Sequence, residues 1–347
     1  MLFYGTSTAG NGTFTNNGGT TDGSGGAQLQ FLDTSTASNG TFINNGGIGG
    51  GSEGGHGGQT RFYGPSTAAN ATLIANGSAG LYYWNPGAIL FSLDSTGGTA
   101  RVEVFDNGNL DISGHNAPGV TVGSIEGTGN VFLGANNLAV GSNNLSTTFS
   151  GVIQDGGSLT KIGTSTLTLT GENTYTGGTT IEGGKLVVNN MSGSGTSSGA
   201  VQVNSGTLGG RGTIAGEVIV GNGTGTRAVL APGRSEDKAG TLRIQSALSF
   251  NADATYKFEL KTKRAIADKV TANGVTISGA RVSFVSCGNS ALPPGTVFTM
   301  IDNTAATPIA GIFNNLADGS TFTADGNTFQ VSYEGGTGND LTLTVVP

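Results

Sequence analysis

Short segments in which apolar residues alternate with polar ones recur along this chain, and glycine or asparagine separates them. In the middle of the chain the alternating apolar pairs are Val120 and Val122, Val131 and Leu133, Leu167 and Leu169, Leu186 and Val188, Val201 and Val203, and Val218 and Val220. Alternation over four or five residues predicts β-strands with one buried face. Between residues 119 and 240 no segment combines helical periodicity with an absence of glycine. The pattern therefore predicts an all-β fold.

A longer repeat occupies the N-terminal part of the chain. Three copies read FYGTSTAGNGTFTNNGG from Phe3, FLDTSTASNGTFINNGG from Phe31 and FYGPSTAANATLIANGS from Phe62, and a degenerate fourth copy, FSLDSTGGTARVEVFDNG, starts at Phe91. The serines at the equivalent position are Ser7, Ser35, Ser66 and Ser95. Their nearly even spacing lies within the range of roughly 20 to 50 residues that is typical of solenoids, in which one unit cannot bury its apolar face alone. We therefore predict a stack of repeating coils.

Asparagine and glycine mark the end of the predicted strand in each copy. The strand lies at Phe14, Phe42 and Leu73, and the segments 16–19 and 44–47, both Asn-Asn-Gly-Gly, close the first two copies. Asn and Gly tolerate positive φ and therefore suit sharp corners between flat strands. In a stack of coils about 4.8 Å apart, equivalent asparagines are predicted to form ladders of side-chain amides.

The composition supports this interpretation and excludes others. Of 347 residues 64 are glycine and only 8 are proline, while 11% are charged and 35% are hydrophobic. A disordered chain would carry fewer apolar or more charged residues, and collagen requires glycine at every third position with abundant proline. The net charge of −7 does not provide the basic field that nucleic acid requires, so no nucleic-acid partner is expected. The single cysteine, Cys287, excludes an internal disulfide framework.

Three regions differ in pattern. Residues 1–118 carry the long repeat, residues 119–240 carry shorter alternating strands, and residues 241–347 have longer strands with larger aromatic side chains. The apolar residues that define the last region are Leu248, Phe250, Tyr256, Phe258, Leu260, Val282, Phe284, Val297, Phe298, Met300, Phe329, Val331, Tyr333, Leu341, Leu343 and Val345. Because the last coil of a solenoid exposes a strand edge and an open core, we expect residues 241–347 to form a capping β-segment.

No targeting or transmembrane segment is expected in this chain. Residues 1–5 lead directly into a repeat, without the basic segment and the apolar core of a signal peptide. No apolar run approaches the ~18 residues that a transmembrane helix needs. If the protein is exported, its signal peptide and its anchor are therefore expected outside this chain.

The segment from Gly151 to Val188 reads GVIQDGGSLTKIGTSTLTLTGENTYTGGTTIEGGKLVV. It resembles the passenger-associated transport repeat, also called the autotransporter-associated β-strand repeat. The matching positions are Ser158-Leu159-Thr160-Lys161, Gly163, Leu167-Thr168-Leu169, Asn173-Thr174-Tyr175-Thr176-Gly177-Gly178-Thr179, Gly184 and Leu186. Ser165 and Glu172 depart from the family pattern, which usually has glycine at the first position and a small residue at the second.

The end of the chain is similar to the end of autotransporter passengers. The similar segments are Leu230-Ala231-Pro232-Gly233, Gly240-Thr241-Leu242, Asp268 with Val270, Ile277-Ser278-Gly279, and Tyr333-Glu334-Gly335-Gly336-Thr337-Gly338-Asn339-Asp340-Leu341-Thr342-Leu343. The resemblance covers residues 120–347 well and residues 1–118 only in general style. It implies a right-handed parallel β-helix that is secreted or located at the cell surface. It implies no activity, because such passengers range from adhesins to carriers of unrelated catalytic domains.

Titratable residues offer few candidates for catalysis. His56 and His115 lie in loops rich in glycine and asparagine, with no Ser-His-Asp spacing or nucleophile elbow, and are interpreted as solvated loop residues. Polysaccharide-cleaving β-helix enzymes need carboxylates that converge from adjacent coils. The densest acidic patch that could serve this chemistry consists of Asp94, Glu103, Asp106 and Asp111. Apolar residues alternate with these acids, which favours the solvent face of a strand.

Three other motifs have both a structural and a functional interpretation. Residues 335–343 resemble a calcium-binding nonapeptide, but a single copy has no successor with which to share ions, so a turn that closes the final hairpin is expected. A basic run consists of Lys257, Lys261, Lys263, Arg264 and Lys269. It is interpreted either as a binding site for anionic polysaccharide or lipopolysaccharide phosphates or as a solvated strand end. Three aromatic residues that either stack on sugars or widen the core are Tyr82, Tyr83 and Trp84.

These observations predict a non-enzymatic structural or adhesive β-helix rod, secreted or at the cell surface, with no catalytic, cofactor-binding or metal-binding residues and no cofactor. Its expected partners are further copies of itself, in a fibre or matrix, or surface glycans. A carbohydrate-active β-helix enzyme, a polysaccharide lyase or hydrolase, is the alternative. The two functions differ in whether several titratable groups converge on one groove.

Overall fold

The computed structural model describes residues 1–48, 55–78, 85–225, 227–233, 239–286 and 288–347. The chain divides into two compact units, residues 1–177 and residues 178–347. The described residues form short strands joined by turns, and no helix occurs among them. This confirms the all-β prediction.

Seventeen strands form the described part of the first unit. They are β1 (Leu2–Phe3), β2 (Thr13–Asn16), β3 (Gln28–Phe31), β4 (Thr41–Asn44), β5 (Gln59–Phe62), β6 (Thr72–Ala75), β7 (Ala88–Phe91), β8 (Arg101–Val104), β9 (Asn109–Asp111), β10 (Gly119–Val122), β11 (Ser124–Gly127), β12 (Asn130–Phe132), β13 (Asn137–Val140), β14 (Thr147–Phe149), β15 (Val152–Gln154), β16 (Ser158–Lys161) and β17 (Thr166–Leu169).

These strands form three parallel sheets. The orders are β1-β3-β5-β7-β9-β12-β15, β2-β4-β6-β8-β11-β14-β17 and β10-β13-β16. Every strand pairs with the equivalent strand of the next coil, so the backbone winds as a parallel β-helix. The predicted fold class is therefore confirmed.

The register of the second sheet gives the length of each coil. Thr13 pairs with Thr41, Thr41 with Thr72, and Thr72 with Arg101. These partners have the same separations in sequence as the successive serines of the repeat, so one repeat makes one coil. The following coil runs only from Arg101 to Ser124. The coil thus shortens where the long repeat ends.

The third corner of the β-helix changes at the same place. In the long coils this corner is held by single parallel bridges that join Thr8 to Thr36, Thr36 to Thr67 and Thr67 to Thr96. From Gly119 onward a full sheet, β10-β13-β16, replaces the single bridges.

Aromatic side chains fill the interior of the long coils. Phe3, Phe31, Phe62 and Phe91 stack nearly parallel, with ring centroids 4.7, 4.8 and 4.8 Å apart, and the last three are fully buried. The separation equals the strand spacing of about 4.8 Å, so equivalent rings in consecutive coils make face-to-face contact. The repeat therefore keeps phenylalanine because each ring packs on the ring of the next coil.

The Asn-Asn-Gly-Gly corners require glycine for a steric reason. A Cβ on Gly47 would collide with the carbonyl oxygen of Gly55, and a Cβ on Gly18 would collide with the backbone of Gly46 and Gly47. The backbones of neighbouring strands and coils come into direct contact at these corners. Any side chain there would force the coils apart.

The second unit contains eighteen strands in its described residues. They are β18 (Thr179–Ile181), β19 (Lys185–Val188), β20 (Val201–Val203), β21 (Gly206–Gly210), β22 (Thr213–Ile214), β23 (Val218–Val220), β24 (Ala228–Pro232), β25 (Thr241–Ile244), β26 (Leu248–Phe250), β27 (Ala254–Lys261), β28 (Ile266–Ala267), β29 (Lys269–Ala272), β30 (Val275–Ile277), β31 (Arg281–Ser286), β32 (Val297–Asn303), β33 (Thr321–Ala324), β34 (Asn327–Gly335) and β35 (Asp340–Val346).

The second unit continues as parallel coils and ends in antiparallel strands. Parallel pairing follows the orders β18-β20-β23-β26-β30, β19-β21-β24-β27-β31 and β22-β25-β29-β32. After β32 the third sheet continues as β35-β34-β33, and these pairings are antiparallel. The parallel coils thus extend into the region 241–347, and the antiparallel closure that caps them begins at β32.

The segment that resembles the transport repeat has the predicted phase. On β17, Leu167 and Leu169 are buried, whereas Thr168 between them is half-buried. The other predicted core residues, Leu186 and Val188 on β19, are fully buried. Alternation therefore identified the inner face of these strands correctly.

Candidate functional site

Two columns of asparagine side chains run along the outer corner of the long coils. In one, the Nδ2 of Asn39 donates to the Oδ1 of Asn11 at 3.1 Å, and the Nδ2 of Asn70 donates to the Oδ1 of Asn39 at 3.2 Å. The other column joins Asn76 to Asn45 and Asn45 to Asn17, at 2.8 and 2.9 Å. These contacts confirm the predicted amide ladders. All the amides in them point in one direction along the stack.

A third asparagine pair is buried. The Oδ1 of Asn44 accepts from the Nδ2 of Asn16 and from the Oγ1 of Thr60, both at 2.8 Å, and the Nδ2 of Asn44 donates to the carbonyl oxygen of Ile74 at 3.0 Å. Asn44 is fully buried, so its hydrogen bonds replace water inside the coil. This pair ties three consecutive coils together from within.

The four acidic candidates for polysaccharide cleavage are distributed over two sheets and the turns beside them. Glu103 is on β8, Asp111 is on β9 in a different sheet, and Asp106 lies in the turn between these strands with φ of 55°. Asp111 accepts the N–H of Ser113 at 2.8 Å, which is a turn contact. Glu103 and Asp111 thus lie on different sheets, whereas glycoside cleavage requires two carboxyl groups on either side of the same bond.

Glu103 belongs instead to an ion cluster on the second sheet. The Nε of Arg101 lies 3.1 Å from the Oε1 of Glu103, and the same guanidinium contacts the Oε1 of Glu126 on the next coil. Burial raises the pKa of the Glu103 carboxyl above its ordinary value, the Arg101 guanidinium opposes this rise, and the Glu126 carboxylate adds to it. Sequence analysis missed Glu126, because only the register of the shorter coil places it beside Glu103.

A cavity of about 400 Å³ lies beside Asp94 and His115. The His115 ring is held by two backbone carbonyls, with its Nε2 2.7 Å from the oxygen of Ser95 and its Nδ1 2.5 Å from the oxygen of Asn116. Asp94 accepts the Nδ2 of Asn116 at 2.9 Å. The carboxylate and the imidazole thus each hold the loop rather than each other, and the Oγ of Ser95 accepts the N–H of Ser92. The arrangement lacks the nucleophile–base contact of a catalytic triad.

The glycine-rich segment that resembles a calcium-binding nonapeptide forms the turn between β34 and β35. Gly335 pairs with Asp340, and the Asp340 Oδ1 accepts the N–H of Asn303 at 2.9 Å. The carboxylate therefore serves backbone groups, and the predicted turn that closes the final hairpin is confirmed. Within the described ranges no group of three His, Cys, Asp or Glu side chains is arranged to hold a metal ion.

The basic run does not form a single surface. Lys263 and Arg264 are exposed in the turn between β27 and β28, whereas Lys261 is buried and its Nζ has no hydrogen-bond partner. The Nζ of Lys269 pairs with the carboxylate of Asp302 at 2.9 Å. The side chains of the run are therefore in three different environments: a solvated turn, the protein interior and an ion pair.

A buried carboxyl group lies beside this hairpin. Asp268 is nearly fully buried and its Oδ1 accepts the N–H of Gly240 at 2.8 Å. Burial raises the pKa of Asp268 to about 7, the Gly240 N–H opposes this rise, and the Glu259 carboxylate adds to it. Asp268 is thus an acid that titrates near neutral pH inside the second unit.

The remaining candidates do not add a site. His56 is exposed. The aromatic residues Tyr82, Tyr83 and Trp84 and the single cysteine, Cys287, lie outside the described residues. In the part of the chain that the structure describes, no helix is long and apolar enough to cross a membrane.

Comparison with known proteins gives a family match for a short part of the chain. Residues 159–188 match the family model described as passenger-associated-transport-repeat. The match confirms the resemblance seen in the sequence. It covers β17, β18 and β19, together with most of β16. No curated protein matches the chain.

Proposed function

We propose that this protein is a non-enzymatic structural or adhesive β-helix of the autotransporter-passenger type, secreted or displayed at the cell surface. The transport repeat at residues 159–188 supports export, because repeats of this family belong to passengers that are carried out of the cell. The parallel coils within each unit support a scaffold function, because each coil packs only on its neighbours.

The observation that carries the proposal is the continuity of the side-chain columns. Stacked phenylalanines inside the coils and hydrogen-bonded asparagines on the corners repeat at each long coil. Each column gains from every added coil, because its members contact only their neighbours along the stack. A fold of this kind provides a stable stack of coils with a large surface, which a fibre, a matrix or an adhesive protein needs.

The proposal is tested by comparing binding with catalysis. Purified protein is incubated with pectin-like and other uronic-acid polymers, and release of reducing or unsaturated ends is followed. In parallel, labelled protein is assayed for binding to the same polymers, to bacterial cells and to itself. We expect binding or self-association without release of product.

A matched variant distinguishes the enzymatic alternative. The double substitution Asp94→Asn and Glu103→Gln removes two of the acidic candidates, one that lines the cavity and one that belongs to the ion cluster. If the wild-type protein releases product and this variant does not, the protein is a carbohydrate-active enzyme and the proposal is wrong. If neither cleaves and both bind, the structural or adhesive function stands.

A further inference from the structure

A groove on the second unit brings two arginines together. Its volume is about 290 Å³, and the residues that line it are Asn189, Asn190, Met191, Arg211, Thr213 and Arg243. All six belong to the unit 178–347, and all except Met191 carry a side-chain group that can donate a hydrogen bond. None of them was singled out in the sequence.

Strand pairing fixes the positions of these side chains. Thr213 on β22 is the register partner of Arg243 on β25, so the two lie side by side on adjacent parallel strands. Arg211 directly follows β21, and its N–H donates to the carbonyl oxygen of Val188 at 3.0 Å and to the Oδ1 of Asn189 at 3.2 Å. Arg211, Thr213 and Arg243 are therefore placed by sheet and corner backbone, whereas the other lining residues, 189–191, begin the loop that follows β19.

Glycine at position 212 is part of this construction. A Cβ there would collide with the Oδ1 of Asn190, which accepts the N–H of Thr213 at 2.9 Å. The Nδ2 of Asn190 donates to the carbonyl oxygens of Ser192 and Gly193. The Asn190 amide thus holds one wall of the groove in place.

The charge of the groove is not neutralised by the described residues. Arg211 and Arg243 are both exposed, and neither guanidinium forms an ion pair or a hydrogen bond with another described side chain. The sequence 178–347 contains twelve Lys and Arg against twelve Asp and Glu, whereas 1–177 contains three against ten. Two guanidinium groups at one groove are therefore a local positive site in an acidic protein.

We propose that this groove binds a uronate residue of an acidic polysaccharide. The inference rests on the proposed surface function and names the ligand class. A guanidinium binds a carboxylate through two parallel hydrogen bonds, and two such groups can bind one carboxylate or two successive ones. The Thr213 hydroxyl and the Asn189 amide suit the hydroxyl groups of a sugar.

The size and the rim of the groove agree with a single sugar ring. A volume of about 290 Å³ lies just below the range of roughly 300–1,000 Å³ typical of small-molecule sites, as a site for one sugar ring requires. The fully exposed Met191 offers a flexible apolar contact to the C–H face of a pyranose. A long polymer can continue in both directions along the open surface.

The test uses the full chain and defined oligosaccharides. Binding of oligogalacturonate is measured by isothermal titration for the wild type, for the double variant Arg211→Gln with Arg243→Gln, and for the control Arg281→Gln, which removes an exposed arginine on β31. We expect the double variant to lose affinity by about tenfold or more and the control by less than about twofold. The affinity of the variant Arg211→Lys with Arg243→Lys should lie between those of the wild type and the glutamine variant. Lysine keeps the positive charge but cannot form the two parallel hydrogen bonds of a guanidinium.

Further ligands define the chemistry. Neutral dextran should not bind, and binding of oligogalacturonate should weaken as salt concentration rises, because exposed charges are screened. The inference is overturned if wild type and double variant bind oligogalacturonate equally, if neither binds, or if polyglutamate or a sulfated glycan binds as strongly as the uronate. Self-association or cell binding that survives in the double variant would leave the proposed function intact while this site fails.

Discussion

The buried asparagine Asn44 allows a sharp test of how the long coils are held together. Replacement of Asn44 by alanine removes three hydrogen bonds, to Asn16, Thr60 and Ile74. The matched control is Asn39→Ala, the same chemical change in the same repeat. Asn39 makes two bonds, to Asn11 and Asn70, and it is exposed.

The expected magnitude follows from burial. A hydrogen bond contributes about 1 kcal/mol net, and a buried group left without a partner costs about 1–3 kcal/mol. Asn16 keeps its bonds to the carbonyl oxygen of Gln59 and to Thr60, so part of this penalty is avoided. We therefore expect Asn44→Ala to lower the free energy of unfolding by about 3 kcal/mol. For Asn39→Ala water replaces the lost partners, and the change should stay near ~0.5 kcal/mol.

The assay is equilibrium unfolding in urea, followed by circular dichroism. Midpoints are compared for variants that unfold with the same slope, so that the shift reports stability and not a change in the surface exposed. Equal shifts for the two variants would refute the reasoning. They would show that burial does not determine how much an asparagine in these columns contributes to the free energy of unfolding.

Three other perturbations test the core, a titrating group and the cap. Leu169→Asp should lower the free energy of unfolding by more than about 4 kcal/mol, because it buries a charge without a partner. Thr168→Asp should lower it by less than about 1 kcal/mol. Thermal unfolding measures both variants, and equal effects would show that the strand phase is wrong. Asp268→Asn should flatten the pH dependence of stability, because the pKa of about 7 means that the folded state binds the proton more tightly than the unfolded state. The stabilisation from Asp268 is complete below pH about 4 and is lost as the pH rises to about 7. Melting temperatures of wild type and variant are compared at acid and neutral pH. A parallel change in the two proteins would contradict this prediction. Deletion of 241–347 should leave protein that aggregates or stays unfolded, whereas deletion of 1–118 should leave a protease-resistant core; equal folding of the two fragments would exclude a special role for the cap.

Much of the fold could be predicted because the coil repeats the same local chemistry. The intervals between the equivalent serines in the sequence equal the intervals between register partners on β2, β4, β6 and β8. Alternation placed Leu167 and Leu169 inside, since a strand has a fixed period of two. These features depend only on neighbours in sequence and on stacking of identical units.

Other features depend on contacts between coils that the sequence does not reveal. Asn44 lies on β4 in phase with the buried Phe42, so period two places it inside, but its hydrogen bonds to Asn16, Thr60 and Ile74 appear only in the structure. Asn39 lies in the turn before β4, where period two gives no prediction, and the structure shows that it is exposed. In the same way, the basic run looked continuous, although the β27–β28 hairpin buries Lys261 and exposes Lys263.

The degenerate fourth copy of the repeat has a structural cause. At its β8 strand, Arg101 takes the place that Thr13, Thr41 and Thr72 hold in the earlier coils. The coil that follows is shorter than the earlier ones and brings Glu126 beside Glu103. A polar hydroxyl column therefore gives way to an ion cluster at the point where the coil length changes. Glu103, one of the acids that looked like a candidate active site, thus belongs to the junction between two coil types, while Asp94 and Asp111 hold turns. These contacts are a further reason to look for function on the groove at Arg211 and Arg243.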